Sequence, residues 1–495
     1  MREKPAELSP ETFRALGHEL VDRIAELLGG LGDRPVAPDT KPAGIRALIG
    51  GDGVPERGEA PETILRGVTE LLFDHSTFNG HPRFFGYITS SASPIGALAD
   101  LLAASVNANV GAWQLSPVAT EIERQTVRWV AELIGFPADS GGILVSGGNM
   151  ANMVCLMAAI RAKATWDVRK QGAASGKRLI LYASQDVHTW LEKGADLCGL
   201  GLDSVRAVPV DSNRAMRIDD LRGQITADRQ AGHEPAFVVG TAGSVGIGAV
   251  DPLPEIARLC AAEGLWFHVD GAYGAPAAML DDAPPALRAI GLADSVAVDP
   301  HKWLYAPIEA GCSLVRNAQA LHDAFVFHPP YYRFEGAAED PPTNFHEWGP
   351  QNTRGFRALK VWATIRQVGR EGYRRMIADD IQLSREMFAE ALRHRELEAL
   401  TQSLSIATFR YVPPDLSETR HDAKTSSYLN DLNTELLARL QRQGHVYLSN
   451  AVIEGAFALR ACIVNFRTEL KDAKAAVTEA VRVGAEVDRE LRVRH

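Results

Sequence analysis

The sequence is poor in cysteine and lacks any long apolar run. It has five cysteines among 495 residues, none of them in a CxxC pair. No Cys and His spacing is typical of a zinc site, so we predict reduced thiols and no metal site. The amino-terminal residues MREKPAELSPETF have no apolar segment after their charges, unlike a signal peptide. These features predict a cytoplasmic protein without a membrane span.

Positive charge is also scarce. The chain has 52 Lys and Arg against 62 Asp and Glu, a net charge of −10, which does not suit a general nucleic-acid-binding protein. Apolar residues make up 46% and charged residues 23% of the chain. This balance excludes a disordered chain, a coiled coil and a collagen-like fibre, and it is compatible with a local basic site for a small anion.

The length predicts roughly three units, at about 150 residues per domain. In the first unit, Ser9-Pro10 provides a cap and a first-turn proline for a helix over Phe13–Leu28. Gly44–Glu59 is rich in glycine and is predicted to be a loop, and Pro61–Phe73 is predicted to be a second helix. The predicted division is a helical arm over 1–85, a large domain over 86–375 and a small domain over 376–495.

The middle of the chain alternates short apolar runs with helical patterns. Ser93-Pro94 and Ser116-Pro117 each predict a helix start. The apolar runs are continuous, as expected for strands buried on both faces of a sheet. We therefore predict an α/β fold with a wound, mostly parallel sheet, then a long helix over Gly355–Arg393 and a small α+β domain. The predicted strands are Ile143–Val145, Leu179–Tyr182, Val205–Val210, Ala236–Val239, Leu265–Val269, Ser295–Val298, Ser313–Val315, Ile406–Tyr411, Val446–Leu448 and Phe457–Val464.

A glycine-rich turn follows the first of these strands. Ser146-Gly147-Gly148-Asn149 separates the strand from an apolar helix. Glycines let backbone N–H groups approach an anion, and a helix N-terminus favours negative charge. The turn is a candidate phosphate cradle, although a plain strand-to-helix turn explains the same residues equally well.

Two further strand ends carry chemically useful side chains. Asp270 ends the run LWFHVD, where a carboxylate could pair with a buried positive nitrogen or be a solvated turn residue. Lys302, in DPHKW, follows another strand. Desolvation would make its amine a nucleophile able to form a Schiff base, and a surface lysine is the alternative. A phosphate cradle, an aspartate and then a lysine in this order predict a pyridoxal phosphate site.

With these motifs in place, the chain resembles the group II pyridoxal-phosphate decarboxylases from about Ser9 to Val483. This type I fold family, aspartate-aminotransferase-like, includes aromatic-L-amino-acid and glutamate decarboxylases. The last two of the resembling segments are closer to the aromatic branch. The resemblance implies an L-amino-acid decarboxylase, a carboxy-lyase, that acts as a homodimer with active sites at the subunit interface. The resembling segments are HPRFFGYITSSASP, SGGNMAN, QDVHTW, HVDGAYG, DPHKWL, HPPYYR, TRGFRALKVW and FALRACIVNFRTE.

The resemblance also implies roles for individual residues. Lys302 would be the Schiff-base lysine, and Asp270 would pair with the pyridine nitrogen. Ala272 and His188 would lie against the two faces of the cofactor ring. The implied phosphate contacts are Gly147, Gly148, Asn149, His301 and, from the neighbouring subunit, Thr353.

The segment Phe327–Glu347 has no periodicity and is rich in proline, aromatic and acidic residues. A loop of this length is more often functional than idle. By resemblance, its Tyr331 would protonate the substrate carbon after loss of carbon dioxide, with Tyr332 as the alternative. Related enzymes that lack the loop tyrosine or the stacking histidine tend to form aldehydes. The presence of Tyr331 and His188 therefore favours simple decarboxylation.

The implied substrate pocket departs from the aromatic branch. Val110 and Ala112 stand where that branch has bulkier residues, and Trp113 either refills the space or is a core tryptophan. Ile88, after Tyr87, also differs from the usual residue. We predict an aromatic L-amino acid as substrate. The alternatives are an acidic or aliphatic amino acid, an aldehyde-forming oxidative deaminase on the same fold, and a non-catalytic protein that binds the cofactor.

Overall fold

The computed structural model describes residues 2, 4–51, 53–327 and 342–494. The chain starts with three helices, α1 (Pro10–Gly29), α2 (Pro42–Ile49) and α3 (Pro61–His75). The Ser9 side chain accepts a hydrogen bond from the Thr12 backbone N–H, so the predicted cap is confirmed.

Part of the predicted loop over Gly44–Glu59 is helical instead, because α2 extends to Ile49. Pro42 occupies its first turn, where the missing N–H costs nothing, and Ile45, Leu48 and Ile49 give it an apolar side. The glycine content concealed this short helix.

A seven-stranded sheet forms the centre of the molecule, with strand order β1-β7-β6-β5-β4-β2-β3. Strand β7 runs in the opposite direction to the other six strands of this sheet, so the predicted wound, mostly parallel sheet is confirmed. Both faces are covered, since Leu144 joins one apolar cluster while Ile143 and Val145 join another. The strands are β1 (Gly141–Val145), β2 (Leu179–Ser184), β3 (Val205–Val208), β4 (Glu234–Thr241), β5 (Trp266–Asp270), β6 (Ser295–Val298) and β7 (Gly311–Val315).

Helices connect and cover these strands. The helices predicted after Ser93-Pro94 and Ser116-Pro117 are present. The last helix of the group is interrupted at Gly369, whose φ of 65° lies in the left-handed region. The helices are α4 (Pro94–Val106), α5 (Pro117–Ile134), α6 (Gly148–Lys163), α7 (Val168–Gln171), α8 (Trp190–Leu197), α9 (Ile218–Gln230), α10 (Leu253–Glu263), α11 (Ala318–Phe325) and α12 (Ala358–Arg393).

The carboxyl-terminal part contains a four-stranded antiparallel sheet of order β10-β11-β9-β8, with two helices. The strand predicted over Val446–Leu448 is wrong, because Tyr447 forms only an isolated bridge with Phe84 and the strand starts at Ser449. The division at 85/86 and 375/376 stays a prediction. The elements are β8 (Leu397–Ser403), β9 (Ile406–Tyr411), α13 (Ala423–Gln443), β10 (Ser449–Ile453), β11 (Ala456–Cys462) and α14 (Leu470–Arg494).

In the part of the chain that the structure describes, none of the helices combines the length and apolar character of a bilayer span.

Candidate active site

A cavity of about 390 Å³ lies at one edge of the central sheet. Strands β1 and β6 both run antiparallel to β7, and β5 is parallel to β6, so all three end at this edge. Ligands of wound sheets bind beyond the carboxyl ends of such strands. Of the residues predicted from the sequence, the cavity brings together Gly147, Gly148, Asn149, His188, Asp270, Ala272, His301 and Lys302.

The glycine turn at the end of β1 forms one wall of the cavity. Gly147 has a φ of 118°, and Gly148 is the first residue of the 16-residue helix α6. A Cβ atom on Gly148 would lie 2.6 Å from Asp299 Oδ2, and one on Gly311 would lie 2.5 Å from the carbonyl carbon of Gly147. Side chains are therefore excluded here, and the backbone N–H groups at the helix start face the cavity as a cradle for an anion.

Lys302 also lines the cavity and is paired with Asp299. The Lys302 Nζ atom is 2.9 Å from Asp299 Oδ2, and the two side chains are 19% and 2% exposed. The other oxygen, Asp299 Oδ1, is buried and has no hydrogen-bond partner among the described residues. The sequence motif contained Asp299, but sequence reasoning gave it no role. The feature of the sequence that could have pointed to Asp299 is its position three residues before Lys302.

Asp270 ends β5 inside the cavity and is 9% exposed. Its Oδ2 atom accepts the indole N–H of Trp190 at 2.8 Å, and its Oδ1 atom accepts the backbone N–H of Ala272 at 3.2 Å. The carboxylate is thus held by two neutral donors and retains free lone pairs for a further, positive donor.

His188 lies on the loop between β2 and α8, at the open side of the cavity. Its Nδ1 atom accepts the backbone N–H of Trp190 at 3.2 Å. Burial lowers the pKa of His188, and the positive charge of Lys302 adds to this effect against the opposing influence of Asp270. A neutral imidazole with its proton on Nε2 is consistent with both observations.

A chain of neutral hydrogen bonds runs beneath the cavity. The Asn152 side-chain amide donates to the Gly148 carbonyl oxygen, so its Oδ1 atom accepts from His268 Nε2, 2.7 Å away. His268 Nδ1 lies 2.8 Å from Ser295 Oγ. Burial lowers the pKa of His268 to about 4. This neutral chain ties strand β5 to the start of α6, and sequence reasoning missed it although the histidine interrupts the apolar run LWFHVD.

The residues predicted to contact substrate lie away from this cavity within one chain. Tyr87 is 59% exposed with a φ of 54°, while Ile88, Val110 and Ala112 are buried in the protein. Trp113 lines a separate cleft of about 970 Å³, where its indole N–H donates to Glu121 at 3.1 Å.

Thr353 is exposed and also lies outside the cavity lining. It precedes Arg354, a buried residue paired with Glu123. Tyr331 and Tyr332 lie outside the described residues.

The cavity meets the chemical requirements of pyridoxal phosphate. It offers a primary amine on Lys302 for the aldehyde, a carboxylate on Asp270 for the pyridine nitrogen, and the backbone cradle at Gly147 and Gly148 for the phosphate. The imidazoles of His188 and His301 also line the cavity.

Comparison with known proteins agrees with this chemistry. Residues 45–412 match the model of the pyridoxal-dependent decarboxylase conserved domain. The chain belongs to the pyridoxal-dependent decarboxylase family. Strands β1 to β7 and every cavity residue named above lie within the matched range, and the cofactor of this decarboxylase is pyridoxal phosphate.

Individual relatives cover almost the whole of this decarboxylase. An aromatic-L-amino-acid decarboxylase of Bacillus atrophaeus is 32% identical over 94% of both chains. A phenylacetaldehyde synthase of a Rosa hybrid cultivar is 27% identical over 94% of this chain and 92% of its own. The crystal structure of mouse CSAD, 26% identical, superposes with a TM-score of 0.90 over 96% of this chain and 99% of that one. The expected type I fold, with a small carboxyl-terminal domain, is confirmed.

Proposed function

We propose that this decarboxylase converts an aromatic L-amino acid to the corresponding amine and carbon dioxide. The observation that carries the proposal is the meeting of Lys302, Asp270 and the glycine cradle in one cavity of about 390 Å³. The similarity to the Bacillus aromatic-L-amino-acid decarboxylase over nearly the full length supports the substrate class.

The cavity residues have separate tasks in this proposal. Bound pyridoxal phosphate supplies the electron sink for loss of carbon dioxide from the α-carbon. Asp299 holds the Lys302 amine 2.9 Å away, next to the cradle, and gives the ammonium a partner whenever the amine is free. Asp270 would stabilise a positive charge at the pyridine nitrogen, and Ala272 and His188 would confine the ring between them.

The phosphate and the proton would be handled by different residues. Gly147, Gly148, Asn149 and His301 hold the phosphate. Tyr331 delivers a proton to the α-carbon after carbon dioxide has left, a step that general acids typically accelerate by about 10² to 10⁴. Exclusion of water from the reacting carbon would favour loss of the carboxylate.

The product assay tests this function directly. The purified protein is supplied with pyridoxal phosphate and single L-amino acids, and the products are identified by mass spectrometry. The expected product is an amine from aromatic substrates. An amine only from acidic or aliphatic substrates would refute the aromatic assignment and point to the small residues Val110 and Ala112. An aldehyde with release of ammonia would favour the activity named for the Rosa relative.

We also propose that the protein works as a cytoplasmic homodimer whose active sites include residues of both subunits. Two apolar surfaces support the dimer. The arm helices α1 and α3 expose Phe13, Ile64 and Leu72, and α4 exposes Leu101 and Leu102. Apolar patches of this kind mark interaction surfaces. The five free thiols suit a reducing compartment.

The oligomeric state can be tested on α4. L102E places a charge in the exposed apolar row, and we expect it to yield an inactive monomer on a sizing column. L392E is the matched control, because Leu392 is at least as exposed as Leu102 but lies on α12. An active L102E monomer would refute the shared site.

A further inference from the structure

Trp190 donates hydrogen bonds to Asp270 and His188, two residues that are predicted to contact the cofactor. Its indole N–H donates to Asp270 Oδ2 at 2.8 Å, and its backbone N–H donates to His188 Nδ1 at 3.2 Å. Its side chain is fully buried at the start of α8. Sequence reasoning gave Trp190 no task, although it lies two residues after His188.

The chemistry of the indole suits this place. An indole offers one donor, no acceptor and no charge, so it orients a carboxylate without neutralising it. A lysine or arginine here would compete with the positive pyridine nitrogen for the Asp270 charge. With Oδ2 held by Trp190 and Oδ1 by the backbone of Ala272, the carboxylate has one orientation before any cofactor binds.

The indole is itself fixed by its neighbours. Its ring meets that of His268 edge-on, with centroids 5.6 Å apart and an interplanar angle of 77°. His268 is held by Ser295 and Asn152, and Asn152 in turn bonds to Gly148 of the cradle. The position of Trp190 is therefore coupled to the same strand and turn that form the cofactor pocket.

We propose that Trp190 is a positioning residue for the cofactor: it fixes the Asp270 carboxylate through its indole N–H, and it orients His188 through its backbone N–H. The inference rests on the proposed role of Asp270 in the pyridoxal phosphate site. The alternative is that Trp190 only fills the core beside α8, where it packs with Leu191 and Ala195.

An isosteric replacement separates the two roles. Substituting 3-benzothienylalanine for Trp190 keeps the ring shape but removes the N–H donor, and W190F is the second variant. The control is Y182F, which removes another buried aromatic donor to a carboxylate, Tyr182 Oη to Asp228 Oδ2 at 2.9 Å, outside the cavity. The readouts are the affinity of the apo protein for pyridoxal phosphate, by equilibrium dialysis, and the visible absorbance spectrum of the loaded protein.

We expect the benzothienyl variant to bind the cofactor about tenfold more weakly, the loss typical of a hydrogen bond to a charged group. Its visible spectrum should change, while Y182F should match the wild type in both readouts. D270N serves as the reference. If D270N changes both readouts and the Trp190 variants change neither, the inference is overturned and the proposed function stands. If D270N itself changes neither, the proposed role of Asp270 fails, and the inference fails with it.

Discussion

The cofactor pocket takes its groups from strand ends that meet at one edge of the central sheet, whereas the residues predicted for the substrate lie on separate segments outside it. Asp270 and Lys302 line one cavity. Ala112 is buried elsewhere, and Tyr87 is 59% exposed. We propose that one chain builds most of the cofactor side, while the second subunit contributes to the substrate side and, through Thr353, to the phosphate.

The largest effect on activity should come from removing the lysine of the cofactor side. K302A removes the amine that would bind the cofactor, so both the visible absorbance of the loaded protein and amine formation should disappear. K193A is the control, because Lys193 is exposed on α8 and should leave both unchanged. Survival of the absorbance band in K302A would refute the site assignment.

The next largest effect concerns the buried ion pair that supports the substrate side. Arg354, next to Thr353, bonds to Glu123 and to the Val110 carbonyl oxygen, and neither charged side chain is more than 1% exposed. E123Q leaves the guanidinium without a counter-charge, and we expect a loss of about 3 kcal/mol in unfolding free energy. Urea denaturation measures it.

An exposed pair provides the comparison for E123Q. Glu121 and Arg124 lie on the same helix with half-exposed side chains, so E121Q should cost no more than about 0.5 kcal/mol. Equal losses in the two variants would contradict the structural role assigned to the buried pair.

The next prediction concerns Tyr331, the proposed proton donor to the substrate carbon. Y331F should lower amine formation by about a hundredfold and shift the product towards aldehyde, while the affinity for pyridoxal phosphate stays unchanged. Mass spectrometry of the products gives the ratio. Y332F is the matched variant, and the same shift in Y332F instead of Y331F would transfer the role to Tyr332.

The smallest expected effect is a pH dependence of folding stability that comes from Asp380, a buried carboxyl group near Lys302. Asp380 accepts hydrogen bonds from Trp303 and Tyr305, just after Lys302, and burial raises its pKa to about 7. An unfolded aspartate titrates near about 3.9, so the folded state binds the proton more tightly. The stability from this group is complete below about pH 4 and is lost as the pH rises to about 7.

D380N should therefore flatten this part of the stability profile. Its melting temperature, compared with that of the wild type between pH 5 and 8, should show a deficit that shrinks as the pH rises. E371Q, at an exposed position of the same helix, should run parallel to the wild type. A constant deficit for D380N would show that Asp380 is ionised throughout.

The same contrast explains what the sequence could predict. Buried parallel strands are continuous apolar runs, so Ser295–Val298 was predicted to the residue. The candidate groups at their ends, Asp270 and Lys302, could be predicted because strand ends of a wound sheet meet at one edge, and both line one cavity. Strand β8, LEALTQS, was missed because an edge strand that is only partly buried has no such run.

The missed site residues depend on contacts that the linear sequence does not contain. The Trp190 indole meets Asp270 across 80 positions, and His268 meets Asn152 across 116. The carboxylate of Asp299 became meaningful only when its 2.9 Å approach to Lys302 was known. The residues of the substrate side are further separated, and we propose that they meet only in the dimer.

The most direct test of an active site shared between two subunits is a mixed-dimer assay. T353E would place a negative charge against the phosphate of the neighbouring site, and K302A removes the lysine of its own site. Each variant alone should be inactive, and differently tagged hybrids of the two should regain amine formation, because one of their sites has both an intact Lys302 and an intact Thr353. Purified hybrids without activity, or a fully active T353E, would contradict an active site to which the second subunit contributes Thr353.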